Sequence, residues 1–183
     1  LDERVFVSLG ILKVASVLES AQVQVGVLDL SGVSNVEEAV KAYLEKAKID
    51  WVGITVTTPQ LPAAVKLAKI IRKINPKLMM VLGGPHVTLT YSAVKVEESR
   101  GIIEGRARKA ANLLESYFDV LVSGDGELIV FELFKDSCPK VLDADNHKGP
   151  YFMNDEIFDK SPMPSRHLVD MESYKYSIDG FNA

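Results

Sequence analysis

Two periods of hydrophobic alternation run through this chain, one helical and one of the extended type, and the switches between them outline its elements. Ile11, Leu12, Val14, Ala15, Val17 and Leu18 recur at helical spacing after Gly10 and predict a helix to about Ala21. The β-branched run VQVGVLDL (23–30), bounded by SGVSN, predicts a strand. Ser34 or Asn35 can cap a helix from about Val36 to Ala47, with Glu37 and Glu38 placed favourably in its first turn. DWVGITVT (50–57) is a continuous apolar run of the kind that parallel sheets bury on both faces. LPAAVKLAKIIRKINP (61–76) follows as an amphipathic helix, with Leu61, Val65, Ala68 and Ile71 on one side, a basic last turn and a closing Pro76. KLMMVLGG (77–84) predicts the next strand, GRARKAANLLESYFD (105–119) a helix, DVLVSG (119–124) a strand and DGELIVFELFKD (125–136) a helix.

Strands alternating with helices at this spacing indicate βαβ units and an open parallel sheet with helices on both faces. The pattern opens on a helix, whereas a doubly wound sheet begins with a strand. The first strand is therefore expected upstream of Leu1, or as a truncated stub in RVFVS (4–8). Neither end closes on an element, as expected of a piece cut from something longer. From Gly149 onward the periodicity fades and prolines and aromatics gather, which predicts a connector packed on a neighbouring surface. The expected division is a domain over 1–148 and a connector over 149–183.

Composition narrows the classes. Of 183 residues 47% are hydrophobic, enough for a sizeable core and against global disorder. A net charge of -4 and a pI near 5.4 give no electrostatic case for nucleic acid or an anionic membrane. No apolar stretch reaches the length of a membrane span, and the N-terminus lacks the order of a signal peptide, so the expected location is the cytoplasm. The single cysteine, Cys138, excludes an intrachain disulfide and cannot hold a thiolate metal site alone.

In open α/β sheets ligands bind beyond the carboxyl ends of the strands. Four loops leave those ends here: DLSGVSN (29–35), TVTTPQL (55–61), GGPHVTLT (83–90) and SGDGEL (123–128). Glycines there let a ligand approach the backbone, and Thr55, Thr57 and Thr58 offer hydroxyls without bulk. The same residue types also serve turns and caps, so the agreement of several loops at one edge counts for more than any one of them. The familiar ligand loops are absent. SGDGEL lacks the third glycine of a dinucleotide fingerprint, and no G-x-x-x-x-G-K-[ST] loop occurs. The aspartate and lysine of a phosphoacceptor domain are missing from the ends of the WVGIT and DVLV strands, and the phosphate loop of a flavodoxin-type flavin site is not in view. No residues form an acid–base pair or a nucleophile with its base. The chain therefore reads as one that binds, with no catalytic residue and no metal ligand expected in it.

The segments LGILKVASVLESAQVQVGVLDLSG, VGITVTTPQLPAAVKLAKIIRKINPKLMMVLGGPHVT, FDVLVSGDGEL and MPSRHLVDMESYKY carry a resemblance. They stand in the order found in the N-terminal cobalamin-binding domains of cobalamin-dependent radical SAM enzymes, and the likeness covers nearly the whole chain. GGPH and the later Gly-Asp-Gly-Glu are its most specific markers. The resemblance implies a flavodoxin-like (Rossmann-like) sheet that clasps cobalamin at its carboxyl edge. It also implies a partner domain in the same polypeptide, a radical SAM barrel carrying a [4Fe–4S] cluster and S-adenosylmethionine, beginning about where this chain stops at Ala183.

By the same resemblance, Gly83 and Gly84 make room for the nucleotide tail of cobalamin, and Thr55, Thr57 and Thr58 border it. His86 hydrogen-bonds the tail or a corrin amide, or is simply a turn histidine. Gly124, Asp125, Gly126 and Glu127 form the last loop, with free N–H groups on the helix after it. The chain lacks the Asp-x-His-x-x-Gly sequence whose histidine ligates cobalt from below in methionine synthase and mutase types. His86 follows the wrong strand, and His147 and His167 sit in the late region. The implied cofactor is therefore base-off cobalamin with no protein ligand beneath it, or with one supplied from upstream. The implied role is to hold that cofactor for methyl transfer or related radical chemistry in a full-length enzyme. A cofactor-free interaction module and a flavin- or nucleotide-binding domain are the alternatives.

The remaining residues invite plainer readings. Trp51, Met79 and Met80 are expected in the core, Cys138 as an unreactive thiol and Asp29 in a turn or cap. ESRGIIEGRARK (98–109) is expected as a solvated inserted loop, and Arg166 with His167 in connector packing.

Overall fold

Strands β1 (Trp51–Thr55), β2 (Met79–Gly83), β3 (Val120–Ser123) and β4 (Val141–Asp143) lie side by side in that order, every neighbouring pair parallel. The structure is a computed structural model that describes residues 7–174 and the backbone of Ser177, Ile178, Phe181 and Asn182. Seven helices accompany the sheet among the described residues: α1 (Leu9–Ser20), α2 (Val36–Lys46), α3 (Leu61–Ile74), α4 (Pro85–Ser99), α5 (Arg106–Tyr117), α6 (Gly126–Ile129) and α7 (Asp155–Lys160). None is long and apolar enough to cross a membrane.

Side-chain alternation along the strands separates two cores. Met80, Leu82 and Leu121 face one way, into a cluster with Val40 of α2, Ala68 and Ile71 of α3, Val87, Tyr91 and Val94 of α4, and Leu114 of α5. Val81, Val120 and Val122 face the other way, toward Leu18 of α1 and Ile129 of α6. Helices thus cover both faces, and the expected flavodoxin-like parallel sheet is present. Trp51 and Met79 are half-buried against the second cluster and Met80 is buried in the first, in agreement with a core reading.

The parallel sheet has the expected four strands, but their membership differs, and a two-stranded antiparallel ladder of Ser177–Ile178 with Phe181–Asn182 is additional. Residues 23–30 keep the alternation of half-buried and exposed positions, with Val23 and Val25 against the second cluster. They join no ladder with a described strand, since alternation alone does not make a strand, which also needs a neighbour paired in register. β4 went unpredicted, since three residues after Cys138-Pro139 are too few to show a period. The stub at 4–8 falls mostly outside the described residues.

Two connections also differ from expectation. GGPHVTLT is not a loop beyond Gly84: Pro85 opens α4 from the first-turn position, where its missing N–H costs nothing. The stretch 98–109 is the end of α4, a tight turn and the start of α5, not an inserted loop. Glu97 closes that turn by accepting from the N–H groups of Ala107 and Arg108 at 2.9 and 3.0 Å. Those bonds hold its carboxyl below the ordinary range, chiefly through Ala107 and against partial burial. The predicted helix 125–136 breaks into α6 and a 3₁₀ turn at Val130–Phe134.

At the amino edge, Arg72 donates to the carbonyls of Pro76 and Leu78 and to Asp119, which also accepts from the Met80 N–H at 2.7 Å. One guanidinium thereby joins the end of α3 to the starts of β2 and β3. The late segment packs on α1. Lys13 donates to the Pro162 carbonyl at 2.8 Å and lies over the Phe158 ring, while Ser165 and His167 both bond Glu19. Tyr174 closes on Asp29.

Candidate cofactor site

Register pairs Thr55 with Gly83 and Gly53 with Val81. Alternation puts Gly53 and Thr55 on the Trp51 face of β1, and Gly83 on the Val81 face of β2, which is the same side of the sheet. Gly53 and Thr55 are exposed and Gly83 is half-exposed. A Cβ on Gly53 would meet only the Trp51 ring, at 3.4 Å, and one on Gly83 only Val122, at 3.6 Å. A strip of strand surface bearing two glycines and one small side chain, Thr55, therefore runs to the carboxyl edge on the side that carries α1 and α6.

Gly84 has a different reason for being glycine. Its φ of 95° with extended ψ is a conformation that L side chains rarely adopt. A Cβ there would stand 2.6 Å from Thr55 Oγ1 and 2.8 Å from Val56 N. The space on that side is occupied by the chain leaving β1, to which the α4 start is bonded: His86 N–H donates to the Val56 carbonyl, and Val56 N–H to the Gly83 carbonyl, both at 3.1 Å. Gly124, with φ of 88°, repeats the arrangement against Ala144 and Asp145, with 2.6 Å to Asp145 N.

The threonines divide their work. Thr57 donates to Oε1 of Gln60 from its hydroxyl at 2.8 Å and from its own N–H at 3.0 Å, a cap for the turn before α3. Thr58 Oγ1 lies 3.1 Å from Nδ1 of His86, and that pair is exposed at the rim. Thr55 keeps its hydroxyl beside Gly84. The structure thus brings Thr55, Thr58, Gly83, Gly84 and His86 together, and turns Thr57 to a local cap.

Gly124 and Asp125 form the neighbouring turn, and Gly126 and Glu127, read from sequence as part of the same loop, already lie in the first turn of α6. The expected anion-receiving helix start is missing, because α6 spans four residues before tightening into a 3₁₀ turn. Gly126 lies against Val14 of α1, where a Cβ would approach to 3.1 Å. Burial lifts the Glu127 carboxyl above its ordinary range and the Asp125 charge adds to this, while its own N–H and Lys13 oppose them. A carboxyl raised in the fold favours folding while protonated. Its contribution is present below the ordinary carboxylate value and is lost as pH rises through the folded one. Glu127→Gln is expected to melt with the parent at about pH 3.5 and above it at about pH 7, as thermal unfolding at the two pH values would show.

Three features of this edge were not read from sequence. Gly53 was absorbed into an apolar run, although a glycine inside a strand is itself a sign of close backbone approach. Thr88, on the first turn of α4, accepts from the Gly124 N–H at 2.9 Å. Ser123 at the end of β3 is fully buried with no hydrogen-bond partner for its hydroxyl among the described residues. The other marked residues lie elsewhere. His167 is engaged with Glu19, and His147 packs on the Phe152 ring. Asp29 accepts from Ser31 N–H at 2.8 Å as a turn residue does. Burial pushes the Cys138 thiol up, away from reactivity. Among the described residues no group of His, Cys, Asp and Glu is placed to hold a metal ion.

A family described as the B12 binding domain matches residues 3–115 of this chain. The chain belongs to the B12-binding domain family. Cobalamin is thus the ligand of its family, and the exposed strip of β1 and β2 falls within the matched residues. The chain is 31% identical to an uncharacterized methyltransferase of Pyrococcus horikoshii, over 72% of its own length and 28% of the relative's. It is 29% identical to an anaerobic magnesium-protoporphyrin IX monomethyl ester cyclase of Rubrivivax gelatinosus, over 53% of this chain and 14% of that one. With the corresponding cyclase of Cereibacter sphaeroides the identity is 28%, over 73% and 19%. The B12-binding chain therefore spans less than a third of the length of each of these relatives.

Proposed function

We propose that this domain holds base-off cobalamin by its nucleotide tail, laid along Gly53, Thr55 and Gly83, and offers the corrin to a radical SAM domain of a longer polypeptide. The observation that carries the reading is the exposed strip on β1 and β2 where side chains are absent or small and a Cβ would make only ordinary contact, with Trp51 or Val122. The residues fit the group. A backbone floor admits a flat, bulky tail, and the hydroxyls of Thr55 and Thr58, with the ring of His86, stand at the rim to take its polar edges. Gly124, Asp125, Gly126 and Glu127 bound the far side. Residues 1–148 would form this binding unit, and 149–183 the connector toward the partner domain.

Bound cobalamin would supply a cobalt centre able to carry a methyl group. The [4Fe–4S] cluster and S-adenosylmethionine belong to the proposed partner. The relatives named as a methyltransferase and as a cyclase favour methyl transfer or related radical chemistry for the whole protein. The residues of this chain bind, orient and exclude water; none is assigned a proton or a bond to cobalt.

Hydroxocobalamin titrated into the protein and followed by visible absorption is expected to give a saturable spectral change near one equivalent. A folded protein that leaves the spectrum unchanged would remove the cofactor reading and leave an interaction module in its place. A yellow protein as purified would point to a flavin instead.

A further inference from the structure

The Thr88 hydroxyl bridges the two glycine turns of the carboxyl edge. Thr88 sits on the first turn of α4, where its N–H donates to the Gly84 carbonyl at 3.2 Å and its Oγ1 lies 3.4 Å from the same oxygen. That Oγ1 also accepts from the Gly124 N–H at 2.9 Å. Each glycine holds a left-handed φ, and each is pressed against the chain leaving a neighbouring strand: Gly84 on Val56, Gly124 on Ala144 and Asp145. The register of β2 with β3 reaches only Leu82 with Leu121. Beyond that pair the two turns have no ladder bond between them, and the Thr88 hydroxyl is the direct hydrogen bond that joins them across the described edge.

We propose that Thr88 is a positioning residue for the cofactor, setting the loop of Gly124 to Glu127 at a fixed height against the Gly84 turn through its Oγ1. The inference rests on the cobalamin reading and extends it to a residue that faces the loop and not the strip. Threonine suits the task physically. Its hydroxyl can donate back to the carbonyl one turn earlier in the helix while accepting from another segment, and its methyl group restricts the rotamers. The Gly124 N–H has no ladder partner of its own, so without the hydroxyl it would be left to solvent or unsatisfied. The nearby Ser92–Asp145 bond at 3.0 Å and the Lys95–Asp143 pair at 2.9 Å tie the later turns of α4 to the exit of β4. Among the described residues, Thr88 supplies the hydrogen bond that ties α4 to the turn leading into Asp125 and Glu127.

Thr88→Val keeps the shape and removes the acceptor, whereas Thr88→Ser keeps the acceptor. The test uses two readouts on the whole chain: amide hydrogen exchange at Gly124 without cofactor, and hydroxocobalamin affinity by visible titration. The valine variant is expected to exchange the Gly124 amide about tenfold faster and to bind about tenfold more weakly, with the serine variant close to the parent in both. If valine leaves either quantity at the parental value, the proposal is overturned. Should the valine variant fail to fold, Thr88→Ala is compared with Thr88→Ser in its place. A parent chain that binds no hydroxocobalamin defeats the cobalamin reading and the cofactor role with it. The exchange arm needs no ligand, and it still decides separately whether Thr88 fixes the loop.

Discussion

Replacing Gly84 by alanine is expected to lower the stability of the fold by about 3 kcal/mol and its melting temperature by roughly 6–12 °C. Two independent causes add. The φ of 95° with ψ near 180° lies in a region that residues with a Cβ avoid. The new methyl would also stand within 3.0 Å of three atoms of Thr55 and Val56, two of them backbone that cannot swing away. The neighbouring change Gly83→Ala is the control. Its methyl would meet only Val122, at 3.6 and 3.8 Å, in ordinary contact, and stability should stay within about 1 kcal/mol of the parent. Thermal melts of the two variants side by side decide the matter. Equal losses would mean that Gly84 is not held by the β1 exit as described.

Gly53→Val is expected to do the opposite: leave the fold as stable or more stable, and weaken cobalamin binding about ten- to a hundredfold. The position is exposed on a strand, and a Cβ meets nothing closer than the Trp51 ring at 3.4 Å. A β-branched residue there suits the extended backbone better than glycine. The same branches would fill the strip proposed for the cofactor tail. A melting temperature at or above the parent's, together with lost affinity in a visible titration, would separate binding from folding. Parental affinity in a stable Gly53→Val protein would move the tail off this strip. Gly84→Trp would be a poor probe by comparison, because any loss of binding would be confounded with loss of the fold.

The hydrophobic pattern carried the fold class because the class depends on period and order, and both are local. β2 and α3 could be read almost to their ends from Leu78–Leu82 and from the spacing of Leu61, Ala68 and Ile71. Pairing is not local. Residues 23–30 have a strand's alternation and no ladder, while Val141–Asp143 have no alternation to show and gain their strand from β3. α4 was legible in principle. Val87, Tyr91 and Val94 recur at helical spacing behind Pro85, but Gly83-Gly84-Pro85 reads as a turn and masked the helix start. At the site, the sequence marked Gly83 and Gly84 alike, whereas only three-dimensional packing shows that a Cβ fits at one in ordinary contact with Val122 and is blocked at the other by Thr55 and Val56. Thr88 could not be found from sequence, since its partner at Gly124 lies 36 residues away.

The agreement between chain order and spatial order in the sheet, β1 to β4 without insertion, bears on how the protein is made. No described strand must wait for a later one to be threaded between itself and its neighbour. As the chain leaves the ribosome, β2 can dock on β1 once α3 is out, β3 on β2 after α4 and α5, and β4 on β3 after α6. Each addition closes a short stretch of chain, so its entropy cost stays low. The exposed sheet edge simply advances by one strand with each step of synthesis.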